Sequence, residues 1–367
     1  MDKLKQLLDQ REKNNSTRKL KINDSSLIDF SSNDYLGLAR SKELQQQIIE
    51  NYQASDGLNG STGSRLITGT SRLILETEHF LASQFQVEST LIFNSGYMAN
   101  LALFSSLPQR GDTIIYDELS HACIKDGCRL SMAKRIPFLH NSLDDLEKKL
   151  KQADGQIYIA CESIYSMDGD IAPLVELSEM AEKYHARLIV DEAHSTGAWG
   201  KVGSGLVNDL KLSHKVFASI YTFGKAIGIH GACIACSNLV RDFLINFSRP
   251  FIYTTAPSSF EIISIRTAFE FLAKHPSLAL NLQSKSELFN STMPDYSSPS
   301  AIKSVKIGGN DQTKKIALAL QNEGFDVRPI LSPTVKEGTE RLRICLHSFN
   351  TEEEIALLCD RLKELAC

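Results

Sequence analysis

Between about Thr70 and Phe260 the chain alternates short apolar runs with stretches of helical period, and no other feature restricts its fold as much. The runs Ser89 to Phe93, Thr113 to Tyr116, Gln156 to Cys161, Arg187 to Val190, Val216 to Ile220 and Ala232 to Ala235 have the length of strands and little polar character on either face. Between them, Leu143 to Gln152 and Leu174 to His185 repeat apolar residues three and four apart, the spacing of an amphipathic helix. A strand that is apolar on both faces needs cover on both. The pattern therefore predicts an α/β fold, a large domain with a mostly parallel sheet and helices on both faces. Ligands of such sheets gather outside the carboxyl ends of the strands, so the residues that follow each run are where chemistry is expected.

The flanks are simpler. Leu4, Leu7 and Leu8 fit a short amphipathic helix, followed by a basic stretch, Arg18-Lys19-Leu20-Lys21, and a short strand at Leu27 to Phe30. Ser31 to Gly37 is turn chemistry, and a helix is expected from Ser41 to Ala54. The glycine-rich loop Gly57 to Arg65 is not a dinucleotide fingerprint, because no strand directly precedes it. Ser291 to Ser300 reads as a linker or surface loop. Beyond it, a helix from Asp311 to Glu323, strands from Phe325 to Pro329 and from Arg341 to Leu346, and a terminal helix suggest a smaller α+β domain. The expected division is residues 1–44, an N-terminal helix and strand segment; 45–260, the large domain; and 261–367, the small one.

A formal net charge of -4 argues against general binding to nucleic acid or membrane surfaces. No apolar run reaches the roughly 20 residues of a membrane span, and the N-terminus lacks the apolar core of a signal peptide. The eight cysteines are scattered, several within apolar runs, which favours reduced buried thiols in a cytoplasmic protein. Cys233-Ile-Ala-Cys236 stands alone without a second pair, so packing is expected of it and no metal site.

Three strand ends carry the candidate chemistry. Ser219 to Cys236 is an apolar, glycine-spaced segment with a single lysine, Lys225, directly after Gly224. Such a lysine is either a snorkelling residue at a turn or an amine held in a site for Schiff-base chemistry. The run ending at Val190 leads into Asp191-Glu192-Ala193-His194. Those letters match a helicase box, but no G-x-x-x-x-G-K-[ST] loop exists to hold a nucleotide, and Ala226 follows Gly224-Lys225. What remains is a strand-end carboxylate with an imidazole three residues on. The run ending at Phe93 leads into Asn94-Ser95-Gly96-Tyr97 and a helical pattern, a turn that can offer backbone N–H groups to phosphate. Thr222 adds a hydroxyl three residues before Lys225; the resemblance of Thr222-x-x-Lys225 to serine acylases lacks the companion motifs. Each feature alone has an ordinary structural explanation. Together, a lysine amine, a strand-end Asp, a phosphate-ready turn and histidines are the parts that pyridoxal phosphate needs.

The chain resembles the α-oxoamine synthase family of fold-type I pyridoxal-phosphate enzymes over nearly its whole length. The stretches that carry the resemblance are FSSNDYLGLA (30–39), GSTGSRLITGTS (60–71), FNSGYMAN (93–100), DELSHACIKDG (117–127), ESIYSMDGDIAPL (162–174), VDEAHSTGAWG (190–200), TFGKAIGIHGA (222–232) and PTVKEGTERLR (333–343). By that resemblance Lys225 forms the imine link with pyridoxal 5'-phosphate and moves the substrate's proton, Asp191 pairs with the ring nitrogen, His194 bonds the phenolic oxygen and His121 stacks on the ring. Gly96, Tyr97, Glu162, Ser166 and Thr222 match cofactor-binding positions, and Thr254 and Thr255 approach the partner's cofactor in a homodimer. Arg343 matches the arginine that engages the amino-acid carboxylate, with Arg341 on the same strand face as runner-up. Arg18, Thr334 and Asn33 match substrate contacts.

Members of the family differ in amino acid and acyl group. The loop Gly63-Ser-Arg65-Leu-Ile-Thr-Gly69 looks like that of the member joining L-alanine to a pimeloyl thioester, carried by CoA or a carrier protein, in biotin synthesis; others use glycine with acetyl-CoA or succinyl-CoA, or serine with a long acyl-CoA. An aminotransferase of the same fold and a non-catalytic partner subunit are the further readings; the presence of Lys225, Asp191, His194 and His121 disfavours the second. Trp199, at a place often held by a smaller residue, could reshape the acyl entrance or simply pack.

Overall fold

The computed structural model describes residues 2–20, 22 and 24–366; Lys21 of the basic stretch lies outside the described residues. In chain order the strands are β1 (Ile28–Asp29), β2 (Ser89–Phe93), β3 (Thr113–Asp117), β4 (Lys134–Phe138), β5 (Ile157–Glu162), β6 (Arg187–Asp191), β7 (Ala218–Thr222), β8 (Ala232–Cys236), β9 (Ile302–Lys306), β10 (Phe325–Asp326), β11 (Arg328–Ile330) and β12 (Arg341–Cys345). They belong to two compact units. One comprises Leu36–Ser166 and Ile171–Ala279; the other comprises Met1–Tyr35, Met167–Asp170 and Leu280–Cys367.

The first unit is built on a seven-stranded sheet in the order β2-β8-β7-β6-β5-β3-β4. Only β8 runs against its neighbours. Every residue of β2, β5, β7 and β8 is buried, as strands covered on both faces must be. The edge strand β4 differs: Lys134, Arg135 and Pro137 are exposed, charges and a missing donor that discourage pairing with another chain. Leu91, Phe93, Leu103, Phe104, Ile124, Ile189, Ile220 and Ile234 belong to one buried cluster between sheet and helices. Each such side chain stabilises the fold by about 1.5–3 kcal/mol. The run expected to begin at Val216 enters the sheet as β7 only at Ala218, because the Val216 N–H is taken by Leu212 O at 3.1 Å in a turn.

The register brings the functional strand ends level. Phe93 pairs with Ala232, Ala232 with Thr222, Ile220 with Asp191, and Asp191 with Glu162. The carboxyl ends of β2, β7, β6 and β5 thus lie side by side. Cys233 and Cys236 are both buried on β8, and a separation of three residues puts them on opposite faces.

In the second unit β11-β12-β9 form an antiparallel sheet, and β1 pairs in parallel with β10 through Ile28↔Phe325 and Asp29↔Asp326. The helix Asp2–Lys13 forms where its leucine spacing requires, yet none of its residues is buried. Ser291 to Ser300 is not a surface linker. Its start completes the helix Ser277–Thr292, Pro294–Tyr296 make a 3-10 turn, and Ser298 and Ser300 are buried. Serine hydroxyls bond nearby backbone, as Ser298 does with Ser300 O at 3.2 Å, so a Ser/Pro-rich segment can pack inside.

Candidate active site

After β2 the chain turns into the helix Gly96–Ser106, whose N-cap Ser95 accepts the Met98 N–H at 3.3 Å. The N–H groups of Gly96 and Tyr97 have no partner within the helix, the arrangement that suits an anion. Gly96 has to be glycine, because a Cβ there would collide with Cγ2 of Thr222 at the end of β7. Phosphate-type donors from two strand ends are therefore packed against each other. The Thr222 hydroxyl donates to Ala193 O at 3.4 Å. Tyr97 is partly exposed, and its hydroxyl donates to Asp126 at 2.6 Å, a bond that raises the phenol's pKa.

Beyond β7 the loop Phe223 to Gly231 carries Lys225, which is half-buried. The Gly228 N–H bonds Lys225 O at 2.8 Å and the Ile229 N–H bonds Phe223 O at 2.8 Å. Gly228 has a left-handed φ of 67°, and a Cβ on it would strike the backbone of Ala39, so this turn is held tightly. Lys225 lies within electrostatic reach of His121 and Glu162.

At the end of β6, Asp191 is buried; its Oδ2 accepts from Asn100 Nδ2 at 2.7 Å and its Oδ1 from the Ala193 N–H at 2.9 Å. One donor on each oxygen fixes the orientation of the carboxyl group. His194, three residues on, is buried as well. The Asn100 amide also donates to Gly96 O at 3.1 Å, so one side chain links the phosphate-type turn to the strand-end Asp. Asn100 did not emerge from the sequence, although its place one helical turn after Gly96 puts it on the same face.

His121 caps the helix Ala122–Leu130, and its backbone N–H donates to the buried Glu162 at the end of β5. Its ring Nδ1 lies 2.9 Å from Cys123 Sγ and accepts the Cys123 N–H at 3.3 Å. Burial first, then the positive charges of Lys225 and Lys125, depress the imidazole pKa against the pull of Asp191 and Asp126. Both contacts of Cys123 at Nδ1 hold the ring in place; Cys123 is a second residue that spacing alone did not reveal. Ser166 is half-buried four residues past Glu162. Thr254 is half-buried and Thr255 exposed, with Thr255 O accepting from Asn94 Nδ2 at 3.0 Å.

In the second unit Arg343 on β12 is buried, and its guanidinium reaches Asn33 Oδ1 at 3.0 Å, Tyr35 Oη at 3.5 Å and Cys345 Sγ at 2.8 Å. Arg343 and Asn33, both expected at the substrate, are thus brought together. Arg341 is committed elsewhere: it forms an ion pair with Asp168 and donates through Nε to Thr339 O at 2.9 Å. Arg18 and Thr334 also meet, Nη2 to Oγ1 at 3.1 Å, on an exposed surface. Trp199 is half-buried in a turn closed by its own N–H to Ser195 O at 2.9 Å.

A half-buried strand-end lysine, an Asp fixed by two donors and an anion-ready helix start define a site of the pyridoxal-phosphate type. A family profile described as Aminotransferase class I and II matches residues 25–362. The 8-amino-7-oxononanoate synthase of Emericella nidulans is 40% identical over 96% of this chain and 93% of its own length. A protein named as a putative 8-amino-7-oxononanoate synthase from Methanococcus vannielii is 34% identical over 99% of both chains. Among solved structures, serine palmitoyltransferase with its PLP internal aldimine superposes with a TM-score of 0.90 at 26% identity, covering 99% of this chain and 97% of that one. The 8-amino-7-oxononanoate synthase of Francisella tularensis gives 0.80 at 28% identity, covering 93% and 98%. The chain belongs to the aminotransferase class I and II family and, within it, to the group of 8-amino-7-oxononanoate synthases.

Proposed function

We propose that this chain is a pyridoxal 5'-phosphate-dependent C-acyltransferase of biotin synthesis, a cytoplasmic homodimer that joins L-alanine to a pimeloyl thioester. The products are 8-amino-7-oxononanoate, CO2 and the free thiol. One observation carries the reading: sheet register and loop packing gather Gly96, Glu162, Asp191, His194, Thr222 and Lys225 at neighbouring strand ends, and relatives of nearly equal length bear this enzyme's name.

The residues fit the cofactor. The Gly96 and Tyr97 N–H groups and the Thr222 hydroxyl would take its phosphate, Asp191 its ring nitrogen and His194 its phenolic oxygen, with His121 against the ring face and Ser166 and Glu162 beside it. When bound, the ring supplies an electron sink for the amino acid's Cα. Lys225, as a neutral amine, takes the alanine Cα proton and returns a proton to the same carbon after the carboxyl group leaves. The balance is one C–C bond made to the acyl carbon, one C–S bond broken and one C–C bond broken as CO2. Arg343, with Asn33, would hold the alanine carboxylate by a guanidinium fork. Arg18 and Thr334 would meet the acyl substrate, and Thr254 and Thr255 the partner's cofactor.

The test is a paired-substrate assay on the purified holoenzyme. Thiol release should require alanine and pimeloyl-CoA or the pimeloyl carrier protein together. Equal or faster release with glycine and acetyl-CoA would reject the substrate choice, and conversion of alanine to pyruvate without thiol release would reject the reaction class.

A further inference from the structure

Glu162 ends β5 and Asp191 ends β6, and they are direct partners across the two parallel strands. Side chains paired in this way project to one face with backbones about 5 Å apart. Glu162 is 3% exposed and Asp191 5%, so both side chains are withdrawn from water. Burial and a neighbouring carboxyl both disfavour a charge on Glu162. The donors around them are unequal. Asp191 receives a separate donor on each oxygen, from Asn100 at 2.7 Å and from the Ala193 N–H at 2.9 Å. The donor to Glu162 is the His121 N–H, on Oε1. Glu162 therefore has the poorer set of donors for a charged form.

We propose that Glu162 is a protonated carboxylic acid at neutral pH and a hydrogen-bond donor in the pocket. Facing Glu162 are Asp117 from β3, Asp191 from β6, Lys225 from the loop after β7, Cys123 from the helix Ala122–Leu130, and Cys161 and Tyr165 from its own segment. Of these, Lys225 favours the anion. Burial first and then Asp191 prevail over Lys225 and the His121 N–H, and the carboxyl is pushed up to about 8. A neutral acid there presents a donor to the bound molecule and adds no negative charge to the pocket. This rests on the cofactor reading above.

The experiment is infrared difference spectroscopy of the holoenzyme against Glu162→Gln, with a pH titration of the bound cofactor's absorbance. The difference isolates Glu162 from the equally buried Glu192. Expected is a protonated-acid carbonyl band at neutral pH that shifts in D2O, is absent from the variant and fades in wild type as pH rises through about 8. The amide keeps a donor in place of the acid, so cofactor affinity should change less than about threefold. A wild type without the band, or a hundredfold weaker cofactor affinity in the variant, about 2.8 kcal/mol, would overturn the proposal. The fading of the band in wild type needs no variant, so a variant that fails to fold leaves the test intact. A colourless wild type that shows the band keeps the protonated acid and removes the cofactor reading instead.

Discussion

Two lysines in this molecule lie in apolar surroundings, and they are not equivalent. Lys303, on β9 of the second unit, is fully buried; its amine donates to Ser286 Oγ at 2.8 Å, Asn290 Oδ1 at 2.7 Å and Ser298 O at 2.7 Å. Lys225, in the first unit, is only half-buried. Desolvation alone would name Lys303 as the activated amine, since burial pushes it down to about 7. Its three partners are neutral acceptors that match the three donors of an ammonium, and they tie a strand to a helix and a turn. Lys225 instead faces His121 and Glu162 at strand ends that also hold Asp191. Titratable company, not depth, separates the lysine proposed as reactive from the structural one.

The largest expected effect divides the two directly. Lys225→Ala should lower the condensation rate by at least about 10³-fold, because it removes both the covalent link and the base. Lys303→Met should leave the rate per folded molecule within about threefold. Equal losses in the two variants would end the distinction.

The same contrast applies to the arginines of β12. Arg341 is held by the carboxylate of Asp168, Arg343 by Asn33, Tyr35 and Cys345. Arg343→Ala should raise KM for alanine about 100-fold, with a smaller change in kcat, as expected when a charged hydrogen bond to substrate is lost. A larger KM increase in Arg341→Ala would reverse the assignment.

The smallest effect concerns stability. Lys303→Met removes one donor each from Ser286 Oγ, Asn290 Oδ1 and Ser298 O, while Asn290 and Ser298 stay bonded to each other, and should cost about 1–3 kcal/mol. For a lysine whose folded pKa lies near 7, below its unfolded value of 10.5, the unfolded chain binds more protons between those two pH values. The stability of wild type relative to the variant should therefore rise as pH increases from about 7 to about 10.5. Chemical denaturation across that range measures it, and a flat difference would show that the three acceptors keep the amine charged throughout.

How legible all this was in the sequence follows from the range of the interactions. Six strands of the seven-stranded sheet were visible because each is an apolar run, and Lys225, Asp191 and Gly96 because they follow such runs; the edge strand β4, with Lys134, Arg135 and Pro137 exposed, gives no such signal and was missed. Asn100 and Cys123 act through short-range geometry around residues already singled out, one turn after Gly96 and two residues after His121. Lys303 was not visible. Its strand gives alternating Lys303-x-Val305 on one buried face, but the acceptors come from residues 286 and 290 of the helix Ser277–Thr292 and from residue 298, in the Ser/Pro-rich segment that looked exposed. Arg341 and Arg343 share a strand face and could be told apart only by the distant Asp168.

The most direct measurement is to reduce the purified yellow protein with borohydride, digest it and map the pyridoxyl-modified lysine by mass spectrometry. The modification should lie on Lys225 and nowhere else. Modification of Lys303, or of no lysine at all, would contradict the assignment on which the proposed reaction depends.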